Sequence, residues 1–267
     1  MFKKKVMQLK AITSFAYLIK YPTPVITVLK PKRDENQLVV FENFQVSPSV
    51  PIVHYFDTFG NACQRMLLNP GEVRILSEMI VKVDAKVKKD PAADYVLVEN
   101  LPSEVIQYLL PSRYCLSDTA EIRQLALEII GNNLVGFLQV QAIANWIHKN
   151  VQYQYGFTFS STTSNDILRN KVGVCRDFAH LGIALCRSIN IPARMVVGYL
   201  KDLPFEDLHA WFEAYIGGQW FIFDAVQAET MGGRIILAKG RDANDVAFIT
   251  QFGILTMLSM EVRVFEI

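Results

Sequence analysis

Ile216-Gly217-Gly218-Gln219 is a two-residue turn signal, and it constrains the fold more than any other short stretch of this chain. Two successive glycines adopt the positive φ that a tight hairpin needs at both central positions. The flanking runs, 208–216 and 219–223, are rich in aromatic and apolar residues, so the turn joins two antiparallel strands. With Gly217-Gly218 as the loop, Ile216 opposes Gln219 and Trp211 opposes Asp224. His209 then opposes Val226, one diagonal step from Asp224 on the same sheet face, roughly 7–8 Å away at Cα. A slip of one residue would put His209 and Asp224 on opposite faces, so any joint role for them depends on this register.

Upstream of the hairpin, 174–189 carries a helical pattern whose buried surface comes from Phe178, Leu181, Ile183, Leu185 and Ile189. Asn190 and Pro192 end it, and a strand pattern follows over 193–200. Helical spacing first appears near residue 118. Asp118-Thr119-Ala120-Glu121 has the capping-box spacing, with Asp118 at the N-cap, and Ile122, Leu125, Ala126, Ile129 and Ile130 recur before Gly131. A second helix is expected over 140–148, with Ile143, Trp146 and Ile147 on one face, and a short strand over 151–155. Before about residue 90 the pattern is one of strands, at 24–29, 38–46, 52–56 and 72–87, with a turn over 57–61. The charged stretch 86–94, with Pro91, reads as a linker, and the tail 235–267 mixes turns and strands. The expectation is a small all-β domain over 1–95, then an α+β domain over 96–267 with helices packed on an antiparallel sheet.

Composition narrows the function classes. The 267 residues are 51% hydrophobic and 20% charged, an ordinary globular balance with enough apolar surface for a sizeable core. With 27 basic against 26 acidic residues, no bulk field draws the chain to nucleic acid or to an anionic membrane. No apolar run reaches the length of a membrane span. Met1-Phe2-Lys3-Lys4-Lys5 resembles the start of a signal peptide, but Gln8, Lys10 and Lys20 interrupt the apolar stretch beyond it and no clear cleavage site appears. Cys63, Cys115, Cys175 and Cys186 form neither a metal-ligand pattern nor a dense disulfide framework, which suits a reducing compartment. A cytoplasmic protein is expected, with no cofactor-binding and no metal-ligating residues. Nothing in the sequence fixes an oligomeric state.

Cys175 opens the helical run in Gly173-Val174-Cys175-Arg176-Asp177-Phe178-Ala179-His180. A free thiol has a pKa of about 8.5, and its thiolate is the nucleophile. At the first turn of a helix the thiolate is favoured by the positive end of the macrodipole and by unpaired N–H groups. The Cys175 N–H is then a candidate donor to the oxyanion of a tetrahedral intermediate. Gly173 is expected to allow close backbone approach and to leave room for an acyl group. His209 is the candidate base, with Asp224 accepting from one ring nitrogen while the other faces the thiol. His180 is five residues from Cys175 on one helix, about 140° around the axis, so the two side chains diverge and it reads as structural. Cys63, Cys115 and Cys186 read as small buried hydrophobes. Arg176-Asp177 reads as an anchoring pair or as polar residues of a first turn. The topology puts Arg194 and Tyr199 near the site, with a core-edge ion pair and a packed aromatic as the alternative. Trp211 shares the His209 face, as a cleft wall or a core residue. A zinc site from Cys175, His180, Cys186 and His209 lacks a short ligand pair of suitable spacing.

The blocks at 173–181, His209-Ala210-Trp211 and Phe223-Asp224 resemble the transglutaminase-like superfamily, with Ile191-Pro192-Ala193-Arg194 and Gly198-Tyr199 between them in the same order. More narrowly, the chain is similar to bacterial transglutaminase-like proteins of the cysteine-protease type. The resemblance covers 118–226, and extends to Phe56-Asp57-Thr58-Phe59-Gly60-Asn61 and to 240–246. It implies a papain-like α+β core and a Cys–His–Asp triad of Cys175, His209 and Asp224. It also implies acyl chemistry at an amide bond of a peptide or protein, through an acyl-enzyme thioester passed to an amine or to water. Two other readings stay open: a catalytically inactive binding module that keeps the fold, and a redox-regulatory thiol.

Overall fold

Residues 6–132, 134–203 and 207–267 are described by the computed structural model. The charged start, Met1-Phe2-Lys3-Lys4-Lys5, lies outside the described residues. The interrupted apolar stretch after it forms β1 (Val6–Ile19), a strand of 14 residues. Leu9, Ala11, Thr13 and Phe15 are buried on one face, at period two. Lys10 lies on the other face and pairs with Glu78 at 2.6 Å. Gln8 and Lys10 are therefore on the outward face of a strand, and Lys20 lies just past its end.

Five further strands follow: β2 (Thr23–Thr27), β3 (Gln37–Ser47), β4 (Ile52–Phe56), β5 (Ala62–Leu68) and β6 (Gly71–Asp84). The 86–94 stretch carries no helix or strand. Next come α1 (Ser103–Ile106), α2 (Ala120–Ile130), α3 (Phe137–Asn150), β7 (Gln152–Tyr153), α4 (Ser164–Asn170), β8 (Val172–Gly173) and α5 (Cys175–Ser188). The chain continues through β9 (Ala193–Leu200), β10 (His209–Ile216), β11 (Gln219–Phe223) and β12 (Arg234–Gly240). It ends with α6 (Ala243–Val246), β13 (Ile249–Gln251) and β14 (Leu255–Glu266).

The strands make three antiparallel sheets of four, in the orders β14-β1-β6-β3, β13-β2-β5-β4 and β11-β10-β9-β12, with β7 and β8 as a short parallel pair. The last two strands thus return to the sheets of the first ones: β14 pairs with β1, and β13 with β2. The fold is α+β, with helices against the β11-β10-β9-β12 sheet.

Some local expectations shift. The N-cap of α2 is Thr119 rather than Asp118, with no side-chain cap bond, and Glu121 pairs instead with Arg169 at 3.0 Å. The helix α4 has a capping box from Thr163 and Asp166. The expected strand over 151–155 shortens to β7. The helix α5 is buried around its whole circumference, from Asp177 to Ser188, because α2, α3 and α4 cover one side and β9 and β10 the other. Ala210, Phe212 and Ala214 of β10 face this helical core.

The outer edge of β12 is covered by side-chain amides. Gln37 donates from Nε2 to the Ile236 carbonyl and accepts from the Ile236 N–H at Oε1, both at 2.8 Å. Asn61 does the same for Lys239, with both bonds at 2.9 Å. These amides pair like a short strand and satisfy the groups that an open edge leaves exposed.

Candidate active site

The hairpin has the register that the Gly217-Gly218 turn predicts. Ile216 opposes Gln219 and Phe212 opposes Phe223, with the two glycines at φ of 55° and 80°. Asp224 follows β11 directly, and His209 opens β10 opposite Gly198 of β9. Nε2 of His209 lies 2.7 Å from Oδ2 of Asp224, and each residue is 2% exposed. With Nε2 engaged, Nδ1 is the ring nitrogen left for the sulfur of Cys175, which is near enough to raise the His209 pKa. Cys175 begins α5 and is half-buried, whereas Cys63, Cys115 and Cys186 are buried. The structure therefore brings Cys175, His209 and Asp224 together.

Electrostatics follow from this geometry. Burial alone would lower the His209 pKa. The Asp224 carboxylate and the Cys175 sulfur outweigh it, and the pKa rises from 6.5 to about 9. Burial would raise the Asp224 pKa, but the Arg234 guanidinium and the His209 ring hold it down at about 2. At neutral pH a carboxylate thus faces an imidazolium. Burial pushes the Cys115 thiol up to about 12 and raises those of Cys63 and Cys186 as well.

The start of α5 is fixed by Asp177, which is fully buried. Its Oδ2 accepts from the Val174 N–H at 3.0 Å and from the Thr158 hydroxyl at 2.7 Å. Its Oδ1 accepts from Arg176 at 2.9 Å, and Arg176 also reaches the Phe159 carbonyl at 2.8 Å. Arg176-Asp177 is thus an anchoring pair. Gly173 is needed for a different reason from the one expected: a Cβ there would sit 2.7 Å from the Asp177 Cβ. Its missing side chain makes room for the anchor, not for an acyl group.

Other residues singled out in the sequence separate. His180 is buried, accepts from the Ala243 N–H at 3.1 Å and stacks on Tyr114, and burial pushes its pKa down to about 3. Its role is structural. Arg194 donates to Glu213 at 2.7 Å and covers the Trp220 ring at 3.9 Å, while Tyr199 is buried and accepts from the Thr13 hydroxyl at 2.6 Å. Both follow the packing alternative. The Trp211 ring is buried and stacks on His209 with centroids 6.1 Å apart.

Three residues escape the sequence reading. Arg234 donates from Nη2 to Asp224 Oδ2 at 2.8 Å and lies 4.8 Å over the Trp211 ring. Tyr153 has its hydroxyl beside the N–H and sulfur of Cys175, with its pKa raised by burial and by that sulfur. The β7–β8 pairing sets Tyr153 against Gly173, two residues before the thiol. Asp207 accepts from Tyr155, whose hydroxyl is 3.4 Å from that of Tyr153. Only the β7 strand signal at 151–155 hints at any of them.

Cys175 and His209 line one cavity of about 330 Å³, with mostly apolar walls. Among the described residues no group of three or more His, Cys, Asp or Glu is arranged to hold a metal ion. No helix among them is long and apolar enough to cross a membrane.

Comparison with known proteins agrees with this architecture. The family model of the transglutaminase-like superfamily matches residues 123–225. A solved structure from Cytophaga hutchinsonii, described as a "putative cysteine protease", superposes with a TM-score of 0.91 and 35% identity, covering 98% of this chain and 91% of that one. An uncharacterized protein of Mycobacterium leprae is 28% identical over 237 residues, 82% of each chain. One of Mycobacterium tuberculosis is 32% identical over 119 residues, 39% of this chain and 38% of that protein. The chain belongs to the transglutaminase-like superfamily.

Proposed function

We propose that this protein is a thiol-dependent hydrolase or acyltransferase that acts at an amide bond of a peptide or protein. The observation that carries the reading is the 2.7 Å contact of His209 with Asp224, on a ring whose other nitrogen is left for the Cys175 sulfur. The Cys175 sulfur attacks the carbonyl carbon and forms the C–S bond. His209, an imidazolium that already carries the proton given up by the thiol, passes it to the leaving nitrogen as the C–N bond breaks, which yields an acyl-enzyme thioester. Water or an amine then attacks the thioester, gives up a proton to His209, and the sulfur leaves. Asp224 orients the ring and stabilises the imidazolium. The Cys175 N–H is the candidate donor to the developing oxyanion, and the neighbouring Tyr153 hydroxyl is a second candidate. Four free thiols suit a reducing compartment, and the cytoplasm is the proposed location.

The test is release of amine from a peptide library by wild type and by Cys175→Ala, with melting temperatures measured beside it. The reading expects turnover only in wild type, and similar melting temperatures, since Cys175 is half-buried. A parallel reaction with added primary amine separates hydrolysis from transfer. No turnover by wild type, with a large loss of stability in Cys175→Ala, would favour a binding module instead.

A further inference from the structure

The cavity at Cys175 and His209 contains a carboxylate that the proposed chemistry does not use. Its walls include Met195, Val197, Leu208, Val246 and Phe248, and Asp207 lines it too. The carboxylate is oriented: the Leu208 N–H donates to Oδ1 at 2.7 Å and the Tyr155 hydroxyl to Oδ2 at 3.3 Å. Among the described residues, the one cationic group that bears on Asp207 is the His209 ring. Arg176, which lines the same cavity, is committed to Asp177 and to the Phe159 carbonyl. Burial in these surroundings raises the Asp207 pKa, so its charge is poorly compensated by the protein alone.

A substrate cation would supply that compensation, and the chemistry decides which one. An acceptor amine must be unprotonated to attack a thioester, so a carboxylate that holds it as an ammonium would oppose transfer. The α-ammonium group of an acyl donor makes and breaks no bond and can remain charged throughout. The apolar walls beside Asp207 suit an apolar side chain on that same residue. We propose that Asp207 binds the free α-ammonium group of the acyl donor, so that the substrates are peptides or amides with an unblocked apolar N-terminal residue. This rests on the assignment of Cys175 as the nucleophile.

Two measurements on the full chain test it. The first compares kcat/KM for leucyl- and N-acetylleucyl-aminomethylcoumarin. Wild type should favour the free amine by about tenfold or more, and Asp207→Asn should lose that preference through KM. An equal fall on both substrates, or a preference retained in Asp207→Asn, overturns the proposal in favour of a positioning role through Tyr155. The second is calorimetric titration of leucinamide and N-acetylleucinamide at pH below the α-amino pKa, which reads the site without turnover. Tighter binding of leucinamide that Asp207→Asn abolishes supports it, even where no amide is cleaved and the catalytic reading has failed. Equal affinity, or no binding of either compound, overturns it.

Discussion

Arg234 donates through Nη2 to Oδ2 of Asp224 at 2.8 Å, so the oxygen that holds His209 also carries a guanidinium. Both residues are buried, and Arg234 also covers the Trp211 ring that stacks on His209. Replacing Arg234 by Met leaves the Asp224 charge buried with one partner fewer. Urea unfolding of Arg234→Met should show a loss of about 3–5 kcal/mol. An unchanged midpoint and slope would mean that the contact contributes nothing.

Asp224→Asn keeps the shape of the side chain and removes its charge. Since burial by itself lowers the His209 pKa, that pKa should fall well below its present value of about 9. Proton-detected NMR titration of the histidine side chains reads this directly. The proposed turnover should fall with it, by about 10²–10⁴-fold, because the group that protonates the leaving amine is lost. An unchanged His209 titration would separate the two residues.

Stability should depend on pH at both ends. The His209 pKa is raised from 6.5 to about 9, so its contribution is fully present below 6.5 and is lost as pH rises through about 9. The Asp224 pKa is lowered from 3.8 to about 2, so its contribution is present above 3.8 and is lost as pH falls through about 2. Thermal melts across pH should show both declines, and His209→Gln should flatten the alkaline one. An alkaline decline of the same size in His209→Gln would assign it to other groups.

Gln37 is the side chain that pairs with both backbone groups of Ile236. Gln37→Ala should strand the buried Ile236 N–H, at a cost of about 1–3 kcal/mol, while the Ile236 carbonyl keeps the Lys32 N–H at 3.0 Å. Hydrogen exchange of the Ile236 amide, slow in wild type, should quicken. Unaltered protection there would mean that the edge of β12 is covered some other way.

Local signals in the sequence reached much of this. Two adjacent glycines set the β10–β11 register, and with it the approach of Asp224 to His209. The end of the helical pattern before Pro192 located α5, and strand-rich runs, the second closed by the 57–61 turn, located β3 and β4. Pairing between distant segments was not legible, because strand alternation says which face is buried but not which strand lies alongside. Nothing in 255–266 points to β1, its partner in the structure. Arg234 lies ten residues beyond Asp224, and only the path of the intervening loop returns it to the carboxylate. Gln37 and Asn61 escaped for a related reason: a side-chain amide in a strand or turn carries no sign of the edge it will pair with. Nothing in the sequence marks Lys239 and Glu213 as buried partners, which the structure sets 3.3 Å apart.

Trapping the covalent intermediate bears most directly on the central claim that the Cys175 sulfur forms a thioester with its substrate. Wild type would be mixed briefly with an activated peptide ester, quenched in acid, and mapped by mass spectrometry. The account predicts an acyl group on Cys175 that hydroxylamine removes, absent from Cys175→Ala and strongly reduced in His209→Gln. An adduct on Cys63, Cys115 or Cys186 in place of Cys175, or amide cleavage that persists in Cys175→Ala, would contradict it.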